Sequence, residues 1–162
     1  MAPQKQAVIK FTSRRYKAAG VSDADFHAFA TSDHAPKAAP IQARHGILGV
    51  AQYHKPAPLR AILTEGPLAA VRPPNWTVDD HDIELVFYLR NPEQIGALMA
   101  DPDFQELMKA EVHLVDQERA NISIGWEEVF VEDGKVVNVD GAKSSYPSWA
   151  ETVETLTGKK PT

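Results

Sequence analysis

Ile83-Glu84-Leu85-Val86-Phe87-Tyr88-Leu89-Arg90 alternates without a break. Ile83, Leu85, Phe87 and Leu89 fall on one oily face, and Glu84, Val86, Tyr88 and Arg90 on the other. Period-two alternation is the signature of a β-strand, whose side chains point to opposite faces in turn. The second face is amphipathic and suited to lining a cavity. A sheet built around this strand therefore has one face for helices and one face left to meet something else.

Upstream, Ala7–Thr12 (AVIKFT) alternates as a strand, with Ile9 and Phe11 on one side and Lys10 and Thr12 on the other; the basic run Arg14–Lys17 and Gly20 are expected to end it. Ser22 then offers a helix cap with Asp25 three residues on, and Val21 can staple onto Phe26. That helix is predicted to run from Ser22 to Asp33, with Pro36 marking a break because proline is poorly tolerated inside a helix. A second helical piece, Lys37–Arg44, leads through Gly46 to a strand over Ile47–His54, with Leu48, Val50, Gln52 and His54 on one side and Ile47, Ala51 and Tyr53 on the other.

Lys55–Asp82 carries Pro56, Pro58, Pro67, Pro73 and Pro74, and reads as a long loop, functional or lid-like. Downstream, a helix begins at Asn91-Pro92-Glu93, pauses at Asp101-Pro102 and resumes toward Val115; Asn121–Val131 is the last long strand, followed by a turn at Glu132–Lys135. Ser148 and Glu151 form a capping-box pattern for a C-terminal helix bearing Trp149, Val153 and Leu156. The order β-α-β, long connection, β-α-β is the ferredoxin-like plan: α+β, βαββαβ, with a four-stranded antiparallel sheet. We expect one domain over residues 1–140 and a helical tail over 141–162.

The 162 residues fit a single core. A net charge of −5, with cations scattered among acids, lacks the footprint of a nucleic-acid or anionic-membrane binder. The absence of cysteine removes disulfides, thiolate nucleophiles and zinc-thiolate sites. Met1–Gln6 is polar with no apolar signal core, and no apolar run approaches the roughly 20 residues that span a bilayer. The expectation is a cytoplasmic protein.

Several stretches resemble the EthD-like branch of the dimeric α/β-barrel superfamily. They are Ser22–His27 leading to Ser32-Asp33-His34-Ala35-Pro36, Arg44-His45-Gly46, Gln52-Tyr53-His54, Asp101-Pro102-Asp103-Phe104 and Ile124–Glu128. The combination is similar to small fungal proteins encoded beside aromatic polyketide synthases, several of them assigned as decarboxylases of polyketide carboxylic acids. The chain departs from the common pattern at Ala28–Thr31, where an aromatic residue usually precedes the Asp-His pair. The resemblance implies a homodimeric barrel acting on an aromatic polyketide without a cofactor. Related barrels also perform cyclisations, isomerisations and oxygenations.

For chemistry, His34, His45 and His54 cluster between the first helix and the second strand, and histidine exchanges protons near neutrality. His34 stands first, beside Asp33 and an apolar face. Tyr53 and His54, as strand neighbours, point to opposite faces, leaving open which one faces inward. Glu84 and Tyr88 share a face where a carboxylate and a phenol can hold a phenolic or keto substrate, or simply meet water. Lys10 can receive a carboxylate or be an exposed strand lysine, and Trp76 can close over a flat substrate or pack its loop down. The histidines lack the short paired spacing of a metal site, and GxGxxG, GxxxxGK[ST] and GxSxG are absent. The expected reaction is cofactor-free decarboxylation of an aromatic or β-keto acid. The alternatives are a cyclase, isomerase or dehydratase on the same fold, and a non-catalytic binder of a hydrophobic metabolite.

Overall fold

The computed structural model describes residues 6–162. The stretch expected to lack a signal core therefore lies, apart from Gln6, outside the described residues.

β1 (Val8–Lys17) runs on through the basic stretch expected to end it. It is a central strand paired on both sides, and those pairings outweigh the local charge. Each cation also finds a place: Arg14 binds Glu84, Arg15 lies under the helices, and Lys17 pairs with Asp23 at 3.6 Å. α1 (Asp23–Phe29) starts as expected, with the Ser22 hydroxyl accepting from the Asp25 N–H at 3.0 Å.

Pro36 does not break the helix. Ala30–His34 form a π turn that leads directly into α2 (Ala35–Arg44), where Pro36 occupies the first turn. A proline has no N–H to donate and crowds the carbonyl four residues back. The wide turn absorbs both effects by bonding the Ala35 N–H to the Ala30 carbonyl, five residues back. α2 ends at Gly46, which adopts φ 70°, a left-handed value that other residues rarely take.

β2 (Gly49–His54) follows, then α3 (Ala57–Thr64) within the connection, β3 (Ile83–Leu89), α4 (Glu93–Met99) and α5 (Pro102–Ala110). The Asp101 carboxylate caps α5 by accepting from Asp103 and Phe104 N–H groups. β4 (Val115–Glu127) begins earlier than the alternation at Asn121 indicates, because it pairs with β1 back to Lys17. Two short hairpins come next, β5 (Val131–Glu132) with β6 (Lys135–Val136), and β7 (Val139–Asp140) with β8 (Lys143–Ser144). Asp133 and Gly134, at φ 50° and 73°, both take the positive values of a tight hairpin turn. α6 (Trp149–Thr157) carries the full capping box of Ser148 and Glu151. It buries Thr152 and packs Leu156 on the core but leaves Trp149 exposed, so its docked face differs from the one expected.

The sheet order is β2-β3-β1-β4, antiparallel throughout. With the order of elements, this is a mixed α+β fold on the ferredoxin-like plan. The oily sheet face meets the helices through Ile9, Phe87 and Leu89 against Ala38, Ile41, Leu98 and Phe104. A second cluster joins Phe26 and Ala30 to Ile83 and Val115. Each fully buried side chain of the Phe or Leu kind contributes about 1.5–3 kcal/mol. The register puts Lys10, Thr12, Val86, Tyr88 and Glu127 together on the opposite face. Among the described residues, no helix is long and apolar enough to cross a membrane.

Candidate active site

The π turn decides where His34 points. A turn of five residues instead of four rotates the following side chains, and such turns recur at functional sites. His34 lies beneath the helix layer, 7% exposed, with Nδ1 2.7 Å from Glu111 Oε2 just beyond the end of α5. The approach is close without hydrogen-bond alignment, so Nδ1 stays geometrically unsatisfied among the described residues.

This pair faces a cavity of about 420 Å³ between the helices and the oily sheet face. The volume falls in the range of roughly 300–1,000 Å³ typical of small-molecule sites. Its walls are mostly apolar, with Phe11, Leu85 and Phe87 from the sheet, and Leu98, Phe104 and Met108 from α4 and α5. Five polar residues interrupt them: Ser13, Arg15, His34, Gln42 and Glu111. Arg15 Nε is buried without a hydrogen-bond partner among the described residues. A smaller hollow of about 40 Å³ continues past Arg15, His34 and Glu111 toward Gln52 and Phe26. At the β4 side, Ile122 lines the cavity while remaining 71% exposed.

A cation without an ion-pair partner among the described residues, a buried histidine and a buried carboxylate thus share an apolar cleft, an arrangement able to support proton transfer at one group and a fixed positive charge beside developing anionic oxygen. A larger hollow of about 860 Å³ lies along α6, the start of β1 and the end of β3, but no histidine lines it. No group of three or more His, Asp or Glu among the described residues is placed to hold a metal ion.

The other residues singled out by sequence do not converge on this cavity. Asp33 is half-buried and pairs with Lys37 at 2.6 Å. His45 Nε2 lies 2.7 Å from Asp101 Oδ2, within the ion network that joins α2 to α5. Arg44 and His45 hold the Asp101 carboxyl well below the usual carboxylate range. His54 takes the helix side of β2 and Tyr53 the opposite side, which answers the question the strand period leaves open.

His54 Nδ1 meets His27 Nδ1 at 2.7 Å, and its Nε2 donates to Gln52 Oε1 at 3.2 Å. Burial, with the neighbouring His27, pushes the His54 pKa below its ordinary value. Gln52 in turn donates to the Ala30 carbonyl at 3.1 Å. His54 therefore braces the start of the turn that carries His34 without lining the cavity.

On the far sheet face, Lys10 Nζ binds Glu127 Oε2 at 2.5 Å and the Tyr88 hydroxyl donates to Glu127 Oε1 at 3.0 Å. The bond from Lys10 lowers the Glu127 pKa, and Glu127 raises that of Lys10. Burial, then the bond to Glu127, raises that of Tyr88. Glu84 is held by Arg14 at 3.1 Å. Trp76 is 63% exposed and lines none of these cavities.

Sequence reasoning missed Arg15, Glu111 and Gln42. Arg15 was hidden in a run read as a strand terminator. Continuing the alternation from Phe11 through Ser13 places Arg15 on the helix-covered face, where a cation is out of pattern. Glu111 stands between α5 and β4, where no local pattern distinguishes a buried carboxylate from a solvated one.

The family model described as EthD domain matches residues 18–118. The chain belongs to the EthD domain family. A protein of Aspergillus terreus carrying the provisional name of an oxygenase is 31% identical over 151 residues, covering 91% of this chain and 92% of that one. The dehydratase iacD of Pestalotiopsis fici is 31% identical, covering 83% of this chain and 96% of its own. The decarboxylase nsrE of Aspergillus novofumigatus is 32% identical, covering 80% and 82%. Among solved structures, an EthD-family protein from Bacillus halodurans aligns at TM-score 0.46 and 13% identity, over 75% of this chain and 99% of that chain.

Proposed function

We propose that this chain is an enzyme, a cofactor-independent acid–base lyase that decarboxylates an aromatic or β-keto polyketide-type acid. The observation that carries the reading is the buried His34–Glu111 pair facing an apolar cavity beside the unpartnered Arg15. The substrate binds as its keto tautomer, with the carboxylate against the apolar wall. The bond to the carboxylate carbon breaks, its electron pair moves into the adjacent carbonyl, and carbon dioxide leaves. The Arg15 guanidinium stabilises the enolate oxygen so formed. His34 then gives a proton to the carbon, Glu111 stabilises the charged and neutral forms of the ring in turn, and a proton from solvent restores His34. Poor solvation of the carboxylate in this cleft favours its loss as a neutral molecule.

Dehydration is the second reading. It is favoured by the second proton-transfer group, Glu111, and by the relative named a dehydratase. His34 then removes the proton next to the carbonyl and Glu111 protonates the departing hydroxyl. Incubation with candidate polyketide acids, followed by mass spectrometry, separates the two by loss of carbon dioxide or of water. No turnover of any candidate supports a binding protein instead. The same proposal includes a homodimer in which the sheet faces carrying Lys10, Val86 and Tyr88 pack together as a barrel. Light scattering at micromolar concentration tests it, and a monomer removes the barrel.

A further inference from the structure

Gln42, like Ser13, is a polar residue of the cavity that the chemistry above leaves unused. It is 6% exposed, on the face of α2 that also buries Ala38 and Ile41. Its side-chain amide makes no hydrogen bond to any described residue, and it lines the cavity instead. An amide that faces a cavity keeps two donors and an acceptor free for whatever enters.

Gln42 also stands apart from the reacting end. It lies eight residues beyond His34 along nearly continuous helix, or about 12 Å at 1.5 Å per residue. The rest of the lining includes Leu85, Phe87, Leu98 and Phe104. The cavity therefore offers separate polar positions in an otherwise oily wall.

We infer that Gln42 is a specificity-determining residue that binds a hydroxyl or carbonyl oxygen at the end of the substrate remote from the carboxyl. This deepens the proposed function and rests on its placement of the reacting end at His34 and Arg15. The amide can donate to a carbonyl or accept from a phenol, so either tautomer of a distal ring is held. A single-ring acid gives up one of the two polar contacts.

The test is isothermal titration calorimetry with two unreactive probes, an ortho-hydroxynaphthoic acid and its analogue with a second hydroxyl on the distal ring. Wild-type protein should bind the second probe about 5–10-fold more tightly, one net hydrogen bond. In Gln42→Leu, and in the length-matched Gln42→Met, that ratio should fall to about one without loss of Tm, since each gives up no hydrogen bond within the protein and keeps most of the side chain's volume. Arg15→Met should weaken both probes alike, by at least about tenfold. An unchanged ratio in either Gln42 variant, with the Arg15 effect intact, overturns this inference alone. Binding indifferent to Arg15→Met overturns the site, and the inference with it. A lower Tm in both Gln42 variants, with the ratio unchanged, makes Gln42 a packing residue and overturns the inference.

Discussion

Nδ1 of His34 stands 2.7 Å from Oε2 of Glu111, and both residues are buried. The turn after α1 delivers the ring and the end of α5 delivers the carboxylate. Each is the other's main electrostatic partner, so the pair responds to mutation as a unit.

His34→Gln should therefore lower kcat/KM by about 10²–10⁴-fold, the usual contribution of a general acid–base group. The sequence places His34 on the margin of the core, where truncation to Ala leaves the fold nearly intact, but its burial corrects that. His34→Ala leaves a void and a buried carboxylate unpaired, at a cost of about 1–3 kcal/mol or more. Gln keeps most of the volume and a donor. Glu111→Gln should cost less activity, with kcat falling more than KM changes. Steady-state kinetics beside melting curves check both, and near-wild-type turnover in folded His34→Gln moves the chemistry elsewhere.

The His27–His54 contact should make stability pH-dependent. Burial, with His27 beside it, holds the folded pKa of His54 below the ordinary value of about 6.5. Between the folded and ordinary values the unfolded chain binds more protons, so stability rises with pH through that window and falls as pH drops below about 6.5. Two protonated Nδ1 atoms also cannot stay 2.7 Å apart. Tm should be lower at pH about 5.5 than at pH about 7.5, and His54→Gln should flatten the difference. An equal slope in the variant removes His54 as its source.

Much of the fold was legible because alternation and capping are local. The strand at Ile83–Leu89, the Ser22 cap, the Ser148 capping box and the turn at Asp133-Gly134 all stand in the structure. Where reading failed, tertiary pairing overrode local chemistry: β1 crosses four consecutive residues that look like a stop, and a π turn absorbs Pro36. The site was legible only at His34. Its partners come from β1 and from the junction after α5, and no short-range pattern joins positions brought together by sheet register and helix packing. The far sheet face drew attention because its polar residues are regularly spaced, yet Lys10, Tyr88 and Glu127 satisfy one another.

Asp101→Asn should unfold more readily yet keep its kcat/KM when folded. Asp101 caps α5 and accepts from Arg44 and His45, but lines none of the cavities. Its folded pKa is depressed, chiefly by Arg44 and then by His45. The stability it adds is therefore present above the ordinary carboxylate range of about 3.9 and lost as pH falls through the depressed folded value. Asp79, lowered to about 2, acts in the same direction. Burial opposes the shift there, but hydrogen bonds from His81 and the charge of Lys55 outweigh it. Acid titration followed by circular dichroism should show wild type outlasting Asp101→Asn, and superimposable acid transitions would refute the assignment.

The two faces of the sheet give opposite expectations, and a pair of substitutions one strand apart decides between them. Arg15 and Tyr88 lie on neighbouring strands, with Arg15 toward the helices and the cavity and Tyr88 toward Lys10 and Glu127. Removing the Tyr88 hydroxyl leaves Glu127 still bound by Lys10 at 2.5 Å, so Tyr88→Phe gives up one hydrogen bond worth about 0.5–1.5 kcal/mol and no group in the cavity. Its kcat/KM should stay within about twofold of wild type. Arg15→Met keeps the length and apolar stem of the side chain but removes the charge that meets the enolate oxygen. Loss of one such donor typically lowers kcat about 10²–10³-fold. The effect should appear in both parameters and be larger on kcat than on KM, because the oxygen that Arg15 meets is neutral in the bound substrate and carries full charge only as the carboxylate departs. If Tyr88→Phe loses activity while Arg15→Met keeps it, the reaction belongs on the face carrying Lys10 and Glu84, and the cavity beneath the helices is packing space.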